Sequence, residues 1–351
     1  MRVAVAMSGG VDSSVAAALL VAQGYEVRGL TMRLWREQAA EDAAEESLAA
    51  ARAVCAQLGI PHEVVDLREP FRREVVDYFI AEYARGRTPN PCLRCNRLLK
   101  FGLLLDYARS SGCEFLATGH YARVQCRDGE YRLLCGLDPA KDQSYVLYAL
   151  QQPQLRQLLF PLGERSKAEV RVIADQWGLP VSGRAESQEV CFIADNDYRR
   201  FLADYLPGAI RPGPILDRRR RVLGEHKGLP FYTIGQREGL GIAAPRPLYV
   251  LELDVAHNAL IVGYAEELGS KALLAEEMSY VAMREPDAGL AVEAKIRYRA
   301  PRTPARVWPL AGGRARVTFE HTLRDITPGQ AVVLYRGEEL LGGGIISSAE
   351  S

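Results

Sequence analysis

The sequence lacks the features that would place it in a membrane or a secretory pathway. It has no apolar run as long as a membrane span, so we expect no membrane attachment. The apolar start of the chain reaches glycines and Asp12 too soon to form a secretory signal. The formal net charge is zero, which argues against bulk electrostatic attraction to a nucleic acid, because phosphate contacts need Lys and Arg.

Regularly spaced cysteine pairs are missing as well. The seven cysteines are an odd number, and reduced thiols in a cytoplasmic protein fit them better than a disulfide scaffold does. The chain also has no internal repeat and no low-complexity linker. With 351 residues, of which 48% are hydrophobic and 25% charged, it is an ordinary globular sequence but too long for one core, so we expect two or three domains.

Two local runs of basic residues depart from the neutral balance. One is Arg218–Arg221, and the other extends from Lys295 to Arg306. A solvated turn or strand face explains such runs as readily as a contact with nucleic acid does. The sequence leaves both explanations open.

The order of apolar segments predicts an α/β fold. Val3–Met7 is typical of a buried strand, and a glycine turn and an alanine-rich helix follow it. This alternation continues, and it predicts a doubly wound parallel sheet over residues 1–205. Closely spaced prolines and glycines then indicate a small middle domain over residues 206–270. Alternating apolar residues predict a C-terminal β-barrel over residues 271–351.

Local signals predict three further elements. Two prolines and two cysteines between Gly86 and Asn96 indicate a loop ahead of a helix over Leu98–Ser110. The pair Asp128-Gly129 is typical of a β-hairpin turn. Ser166, followed by Glu169, predicts a capping box at the start of a helix.

A phosphate-binding loop is predicted at the first junction between strand and helix, where Ser8–Ser14 has the sequence Ser-Gly-Gly-Val-Asp-Ser-Ser. Glycines allow a tight turn and let backbone N–H groups approach an anion, and the helix N-terminus adds partial positive charge. Asp12 is expected either to hold Mg²⁺ on the phosphates or to cap the helix. The Walker pattern is absent, so transfer of a γ-phosphate is not the expected chemistry. An ordinary turn without a ligand is the alternative.

Three of the cysteines are candidates for chemistry. Cys92 and Cys95 form a Cys-x-x-Cys motif, and Cys191 lies far away in the sequence. A thiolate attacks sulfane sulfur and can hold a persulfide, which makes cysteine the natural residue for carrying sulfur. The other cysteines are predicted to be small buried hydrophobic residues; they are Cys55, Cys113, Cys126 and Cys135.

Taken in order along the chain, these motifs and several others resemble the bacterial tRNA-specific 2-thiouridylases of the PP-loop ATP pyrophosphatase superfamily. The match covers nearly the whole chain, and it includes Ala6–Ser14, Gly29–Met32, Thr88–Asn96, Lys100–Phe101, Ala117–Ala122, Lys141–Tyr145, Glu186–Ile193, Gly224–Gly228, Tyr232–Arg237, Lys295–Tyr298 and Thr327–Gln330. The resemblance implies ATP-dependent 2-thiolation of the wobble uridine of tRNA, with the base flipped out of the anticodon stack into the site.

The resemblance also implies roles for individual residues. ATP would be bound by Ala6, Met7, Ser8, Gly9, Gly10, Val11, Asp12, Ser13, Met32 and Gly119. The target base would be surrounded by Asn90, Pro91 and Cys92. Further contacts with tRNA would come from His120, Lys141, Asp142, Gln143, Arg297, Tyr298 and Gln330. The implied cofactors are ATP and Mg²⁺. The implied partners of this expected monomer are tRNA and a sulfur donor, either a relay protein or a desulfurase.

In the reaction that the resemblance implies, the enzyme adenylates the C2 oxygen of uridine and so turns a poor leaving group into AMP. Cys191 would carry a persulfide that delivers sulfur to C2. Cys95 would be the nucleophile that releases the product, leaving a Cys95–Cys191 disulfide. A reductant must then restore both thiols, which agrees with a reducing compartment.

Cys92 departs from the family pattern, because better-known members have Asp at this position. The unperturbed pKa of a thiol, ~8.5, is far from the ~4 of a carboxyl, so Cys92 cannot simply replace an acid–base residue. In one interpretation Cys92 is a spectator while Cys95 and Cys191 run the persulfide cycle. In the other, which we prefer, Cys92, Cys95 and Cys191 hold a 4Fe–4S cluster whose open iron carries sulfide. A zinc site with His120 as fourth ligand is a weaker alternative.

Two other functions compete with thiolation. A PP-loop synthetase could adenylate a small carbonyl substrate and add nitrogen, but amidation needs no thiols. The β-barrel could instead belong to a tRNA-binding protein with a relic nucleotide fold, although the intact phosphate loop argues against this. The sequence identifies neither the tRNAs that are modified nor the sulfur donor.

Overall fold

The computed structural model describes residues 1–184 and 190–350, so the motif residues 186–189 lie outside the described part. The helices and strands of the first part of the chain are β1 (Arg2–Ala6), α1 (Val11–Ala22), β2 (Glu26–Arg33), α2 (Glu41–Gln57), β3 (His62–Asp66), α3 (Arg68–Phe71), α4 (Asp77–Ala84), α5 (Pro91–Arg94), α6 (Leu105–Ser110), β4 (Phe115–Ala117), β5 (Ala122–Arg127), β6 (Glu130–Cys135), α7 (Gln152–Leu155), β7 (Leu158–Leu159), α8 (Lys167–Gln176) and α9 (Tyr198–Tyr205). Two π-helical segments, Arg72–Val76 and Cys95–Leu104, join α3 to α4 and α5 to α6.

β1 lies at the centre of a sheet with the order β3-β2-β1-β4-β7, in which every neighbouring pair is parallel. Ala4 belongs to the apolar core on one face with Phe71, whereas Val3 and Val5 belong to the core on the other face with Val15. Both faces are therefore covered, and the predicted doubly wound parallel sheet is confirmed. Because the carboxyl ends of parallel strands meet at one edge, the turns after β1 and β4 lie side by side.

The second part of the chain consists mainly of strands. They are β8 (Gly213–Leu216), β9 (Val222–His226), β10 (Tyr249–Asp254), β11 (Ala259–Gly263), β12 (Ser270–Tyr280), β13 (Leu290–Lys295), β14 (Thr303–Leu310), β15 (Arg314–Leu323), β16 (Ala331–Arg336) and β17 (Glu339–Glu350). Four of them form the small middle sheet, in the order β10-β11-β8-β9. The pairing of β12 with β17 closes β12-β15-β14-β13-β16-β17 into a ring, which confirms the predicted β-barrel. Within the described part, no helix has both the length and the apolar character that crossing a membrane requires.

The hairpin of β5 and β6 links the first domain to the barrel. Its turn lies at Asp128-Gly129, as predicted, and both residues have positive φ angles. Leu133 and Leu134 of β6 pair with Leu340 and Glu339 of β17, so the hairpin extends the sheet of the barrel. The first domain and the barrel therefore share one hydrogen-bonded sheet. The predicted boundaries at residues 206 and 271 remain predictions.

The predicted loop between Gly86 and Asn96 is shorter than expected. The helix begins at Pro91, and the Asn90 side chain accepts a hydrogen bond of 3.0 Å from the backbone N–H of Cys92. Asn at the N-cap with Pro at the first helical position is a strong start signal, which the cysteine-rich composition obscured. Cys92 and Cys95 therefore lie in the first turns of a helix and not in a loop.

Candidate functional site

The phosphate loop connects β1 to α1 and is held by its own serines. The hydroxyl of Ser13 donates to the carbonyl of Gly10 at 3.1 Å and lies 3.2 Å from the hydroxyl of Ser8. Gly9 has a φ of +74°, and a Cβ there would lie 2.1 Å from the carbonyl oxygen of Ser47 in α2. Only glycine fits at this position. The loop therefore presents backbone N–H groups and hydroxyls at the N-terminus of a helix, which is a suitable cradle for phosphate.

A cavity of about 290 Å³ opens beside this loop. Most of the residues predicted to bind ATP line it; they are Ala6, Met7, Ser8, Asp12, Ser13, Met32 and Gly119. Gly9, Gly10 and Val11 do not line it. A Cβ on Gly119 would lie 2.7 Å from the backbone of Asp12, so glycine allows the turn after β4 to approach the start of α1.

Asp12 does not cap the helix, and two side chains from distant segments bind its carboxylate. The N-cap residue of α1 is Gly10, and no side chain in the described part of the chain caps this helix. Oδ1 of Asp12 instead accepts a hydrogen bond of 2.6 Å from Nζ of Lys167 and one of 2.9 Å from the hydroxyl of Tyr121. Sequence reasoning missed both partners, because they come from distant segments. The capping box that starts α8 at Ser166 is present as predicted and directs the lysine toward the loop.

The structure brings the three candidate cysteines together. Solvent reaches Cys92 and Cys191, whereas Cys95 is half-buried. Protein atoms nevertheless surround the sulfurs, and this loss of water raises the pKa of Cys95 to about 12 and that of Cys191 to about 11. Lys100 acts in the opposite direction on both, and a negative charge on either neighbouring thiol would raise the pKa of Cys95 further. The three thiols therefore lie within electrostatic range of one another.

Lys100 connects the cysteines to the nucleotide cavity. It lies in the π-helical segment that begins at Cys95, and it lines the cavity. Burial raises the pKa of Cys92, Cys95 and Cys191, and the positive charge of Lys100 partly offsets this rise. Sequence reasoning placed Lys100 in a motif but gave it no role.

The remaining cysteines are mostly structural. Cys55, Cys113 and Cys135 are buried, as predicted. Cys126 is exposed, and the prediction that it is buried is wrong. It lies near the tip of the β5–β6 hairpin, which extends into solvent, whereas the other end of the hairpin packs against the core.

The described residues do not form a ready metal site. In residues 1–184 and 190–350, no group of three or more His, Cys, Asp or Glu side chains is arranged to hold a metal ion. Nδ1 of His120 lies 2.7 Å from the hydroxyl of Thr118, and the ring contacts Phe101 and Phe160. Burial lowers the pKa of His120 well below its usual value, and Lys100 adds to this effect, so the imidazole is neutral at pH 7.

Several residues expected to contact tRNA lie next to the cavity. His120 and Gln143 line it, and the side chain of Gln143 accepts a hydrogen bond of 3.1 Å from the backbone N–H of Tyr121. Asp142 accepts a hydrogen bond of 3.1 Å from the backbone N–H of Gly136. Lys141 is half-buried on the same segment.

Gln330 and Arg297 hold the three domains together at the segment before the cysteines. Nε2 of Gln330 donates to the carbonyl of Thr88 at 2.7 Å, and the hydroxyl of Thr88 lies 3.1 Å from that of Thr233 in the middle domain. Arg297 donates to the carbonyl of Ile234 at 3.1 Å and to the hydroxyl of Thr327. Thr88 therefore joins the barrel and the middle domain to the segment that leads to Asn90 and Pro91.

Tyr298, unlike its neighbour Arg297, is solvent-exposed. Its hydroxyl lies 3.5 Å from the carbonyl oxygen of Asp142 in the first domain. The ammonium of Lys295 lies 5.6 Å from the centre of its ring. Tyr298 is therefore accessible beside the segment that carries Lys141 and Gln143.

Three models of known protein families match successive parts of the chain. Residues 1–195 match the family model of the tRNA methyl transferase HUP domain, residues 199–264 that of the tRNA methyl transferase PRC-barrel domain, and residues 270–346 that of the aminomethyltransferase β-barrel domain. The chain is 53% identical to the tRNA-specific 2-thiouridylase MnmA of Moorella thermoacetica, over 98% of this chain and 99% of that protein. It is 50% identical to the tRNA-specific 2-thiouridylase MnmA of Pelotomaculum thermopropionicum, over 99% of this chain and 97% of that protein.

Among solved structures, the U34-tRNA thiolase NcsA of Methanococcus maripaludis with its 4Fe–4S cluster matches 59% of this chain and 65% of its own. The TM-score is 0.37 and the sequence identity 20%, a likeness too weak to support any assignment. The full-length sequence identities, in contrast, extend through all three domains. The chain belongs to the family of tRNA-specific 2-thiouridylases.

Proposed function

We propose that this protein is a tRNA-uridine 2-sulfurtransferase that uses ATP to convert the wobble uridine of tRNA into 2-thiouridine. The observation that carries the proposal is the position of Lys100. This residue lines the cavity at the phosphate loop and acts electrostatically on all three candidate cysteines. Adenylation and sulfur transfer can therefore take place at one site.

In the first step, the C2 oxygen of the uridine attacks the α-phosphorus of ATP, and pyrophosphate leaves. The phosphate loop would hold the triphosphate through its backbone N–H groups and the hydroxyls of Ser8 and Ser13. Apolar residues that also line the cavity, Leu30, Met32 and Leu48, would receive the adenine. The product is a uridine whose C2 oxygen now belongs to AMP, a good leaving group.

In the second step, a persulfide on Cys191 attacks C2, and AMP leaves with the original oxygen. The thiolate of Cys95 then attacks the sulfur of Cys191. The bond between the two sulfurs of the persulfide breaks, and its electron pair goes to the sulfur that remains on C2. This gives 2-thiouridine and a Cys95–Cys191 disulfide, which a dithiol reductant returns to two thiols. A relay protein or a desulfurase is the proposed source of the persulfide sulfur.

The raised pKa values of Cys95 and Cys191 have a consequence for this cycle. At neutral pH both groups are protonated thiols in the structure, so they react slowly with oxidants. The positive charge of Lys100 favours a thiolate at both cysteines, and that of Arg36 adds to this effect at Cys191. We therefore expect sulfur transfer to become faster as the pH rises above neutral.

The cluster of Cys92, Cys95 and Cys191 remains a separate prediction. The described residues hold no group arranged as metal ligands, so the proposed cycle uses only the thiols of Cys95 and Cys191. Mg²⁺ would enter with the triphosphate, and Asp12, which is paired with Lys167, would lie beside it. Iron and acid-labile sulfide analysis of protein purified without oxygen tests the cluster, which would contain about four irons per chain.

Incubation of the protein with ATP, tRNA and a persulfide donor tests the proposed function. Pyrophosphate release should depend on tRNA, and nucleoside mass spectrometry should show 2-thiouridine at the wobble position. Release of AMP and pyrophosphate only with a small amino donor, with unmodified tRNA, would indicate an amidating synthetase. Binding of tRNA without any pyrophosphate release would indicate a non-catalytic tRNA-binding protein.

A further inference from the structure

The segment between β2 and α2 lies between the nucleotide cavity and Cys191. We call residues 34–40 the strap. Leu34 and Arg36 line the cavity. The ring of Trp35 packs edge-on against Tyr205 of α9, with 6.0 Å between ring centres. The strap therefore contacts the cavity and also the helix that follows the Cys191 segment.

Glu37 of the strap holds the chain immediately after Cys191. Its backbone N–H donates to the carbonyl of Phe192 at 3.3 Å, and its Oε2 accepts from the backbone N–H of Ala194 at 3.0 Å. Both carboxylate oxygens also accept from the guanidinium of Arg200 in α9, at 2.5 and 2.6 Å. One side chain thus ties together the strap, the Cys191 segment and α9.

The burial of Glu37 makes this arrangement more than a surface ion pair. Glu37 retains 8% of its exposure. The hydrogen bonds from Arg200 are the main reason that the pKa of Glu37 is lowered, although burial alone would raise it. Phe192 is fully enclosed by aromatic rings, among them Phe79 and Phe201. Cys191 therefore lies on a short stem that is anchored one residue away.

Arg36 adds a second link between the strap and Cys191. It lines the nucleotide cavity, and its positive charge partly offsets the rise that burial causes in the pKa of Cys191. Neighbouring residues of the strap, Arg36 and Glu37, therefore face the cavity and the Cys191 stem respectively. The position of the strap fixes the position of the stem relative to the cavity.

We propose that Glu37 is a positioning residue for sulfur transfer, whose carboxylate fixes the stem of Cys191 at the correct distance from Cys95 and from the nucleotide cavity. The proposal rests on the proposed function for the role of Cys191 as sulfur carrier. It assigns to Glu37 no contact with ATP, tRNA or the reacting atoms.

Glu37→Gln tests this proposal, because it keeps the shape of the side chain but removes its charge. Diamide, which takes two electrons and two protons from a pair of thiols, is added to the reduced full-length protein, and mass spectrometry of the Cys95–Cys191 peptide pair gives the rate. Loss of charge-assisted hydrogen bonds should slow this disulfide by about tenfold. Thiolation of tRNA should slow by a similar factor, while tRNA-dependent pyrophosphate release should stay within about twofold of wild type.

Asp204→Asn is the matched control. Asp204 accepts a hydrogen bond of 3.0 Å from Arg200 on the same helix, and among the described residues it forms no hydrogen bond or ion pair with the Cys191 segment. Removal of this exposed partner should change the disulfide rate by no more than about twofold. Arg200→Lys is a second variant, which keeps the charge but loses the two-point contact, and it should give an intermediate rate.

Three results would overturn the proposal: a wild-type disulfide rate in folded Glu37→Gln, an equal loss of rate in Asp204→Asn, or an equal loss of pyrophosphate release in Glu37→Gln. Failure of the proposed function gives a different pattern. In that case the wild-type protein makes no 2-thiouridine, yet Glu37→Gln still slows the Cys95–Cys191 disulfide.

Discussion

The ion pair between Asp12 and Lys167 makes the phosphate loop depend on a lysine from α8. Nζ of Lys167 lies 2.6 Å from Oδ1 of Asp12, and the lysine side chain keeps only 10% of its exposure. In Lys167→Met, the carboxylate of Asp12 keeps its charge and loses its cation, next to the position expected for the triphosphate. We therefore expect weaker ATP binding and little direct effect on the cysteines.

The structure sets the size of this effect. Removal of one partner from a fully buried ion pair costs about 3–5 kcal/mol. The side chain of Asp12 keeps 34% of its exposure, so water relieves part of the cost. We reduce the expected loss to about 1.5–3 kcal/mol for that reason. If this loss appears in ATP binding, the Kd for ATP rises by roughly ten- to hundredfold.

Isothermal titration with a non-hydrolysable ATP analogue measures this change. Lys167→Arg, which keeps the positive charge, should bind the analogue nearly as well as the wild type. The double variant Asp12→Asn/Lys167→Met removes both charges and should recover most of the lost affinity. Wild-type affinity in Lys167→Met, or a double variant that binds as weakly as Lys167→Met, would refute the proposed dependence of ATP binding on Lys167.

Further predictions concern the loop and the cysteines. Gly9→Ala should reduce pyrophosphate release by at least about tenfold, because a Cβ would collide with a carbonyl oxygen of α2. Gly24→Ala is its control, since Gly24 also has a positive φ angle but nothing lies within 4 Å of the added Cβ. Lys100→Met should raise the pKa of the Cys95 thiol further, because the lysine charge opposes the rise that burial causes. Labelling of Cys95 by iodoacetamide should then require a higher pH than in the wild type. An unchanged pH profile of labelling would contradict this prediction. The Cys92→Ser variant should still thiolate tRNA in air. If the variant is inactive and lacks iron that the wild-type protein holds, the cluster is established instead.

The parts of the site that a short sequence signature specifies could be predicted. The phosphate loop is one, because Ser8–Ser14 combines glycines and hydroxyls directly before a helix in one short stretch of sequence. The start of the helix at Pro91 could have been predicted too, since Asn90 and Pro91 are ordinary start signals. These two residues place Cys92 in the first turn of a helix.

The partners of Asp12 could not be predicted, for a physical reason. Lys167 and Tyr121 meet Asp12 only because α8 and the turn after β4 converge on the start of α1. Contacts of this kind depend on tertiary packing and leave no periodic pattern in the sequence. Barrel closure is similar, because alternation predicts strands but does not specify that β12 pairs with β17.

The shared sheet of hairpin and barrel has a consequence for synthesis on the ribosome. Leu134 of β6 pairs with Glu339 of β17, so 205 residues separate them in the chain (339 − 134). At roughly 5–20 residues per second, β6 waits about 10–40 s before its partner strand is made. An unpaired strand edge can bind the wrong strand during such a wait. Translation speed and chaperone access during this interval should therefore influence the yield of native protein more than they would if each domain completed its own sheet.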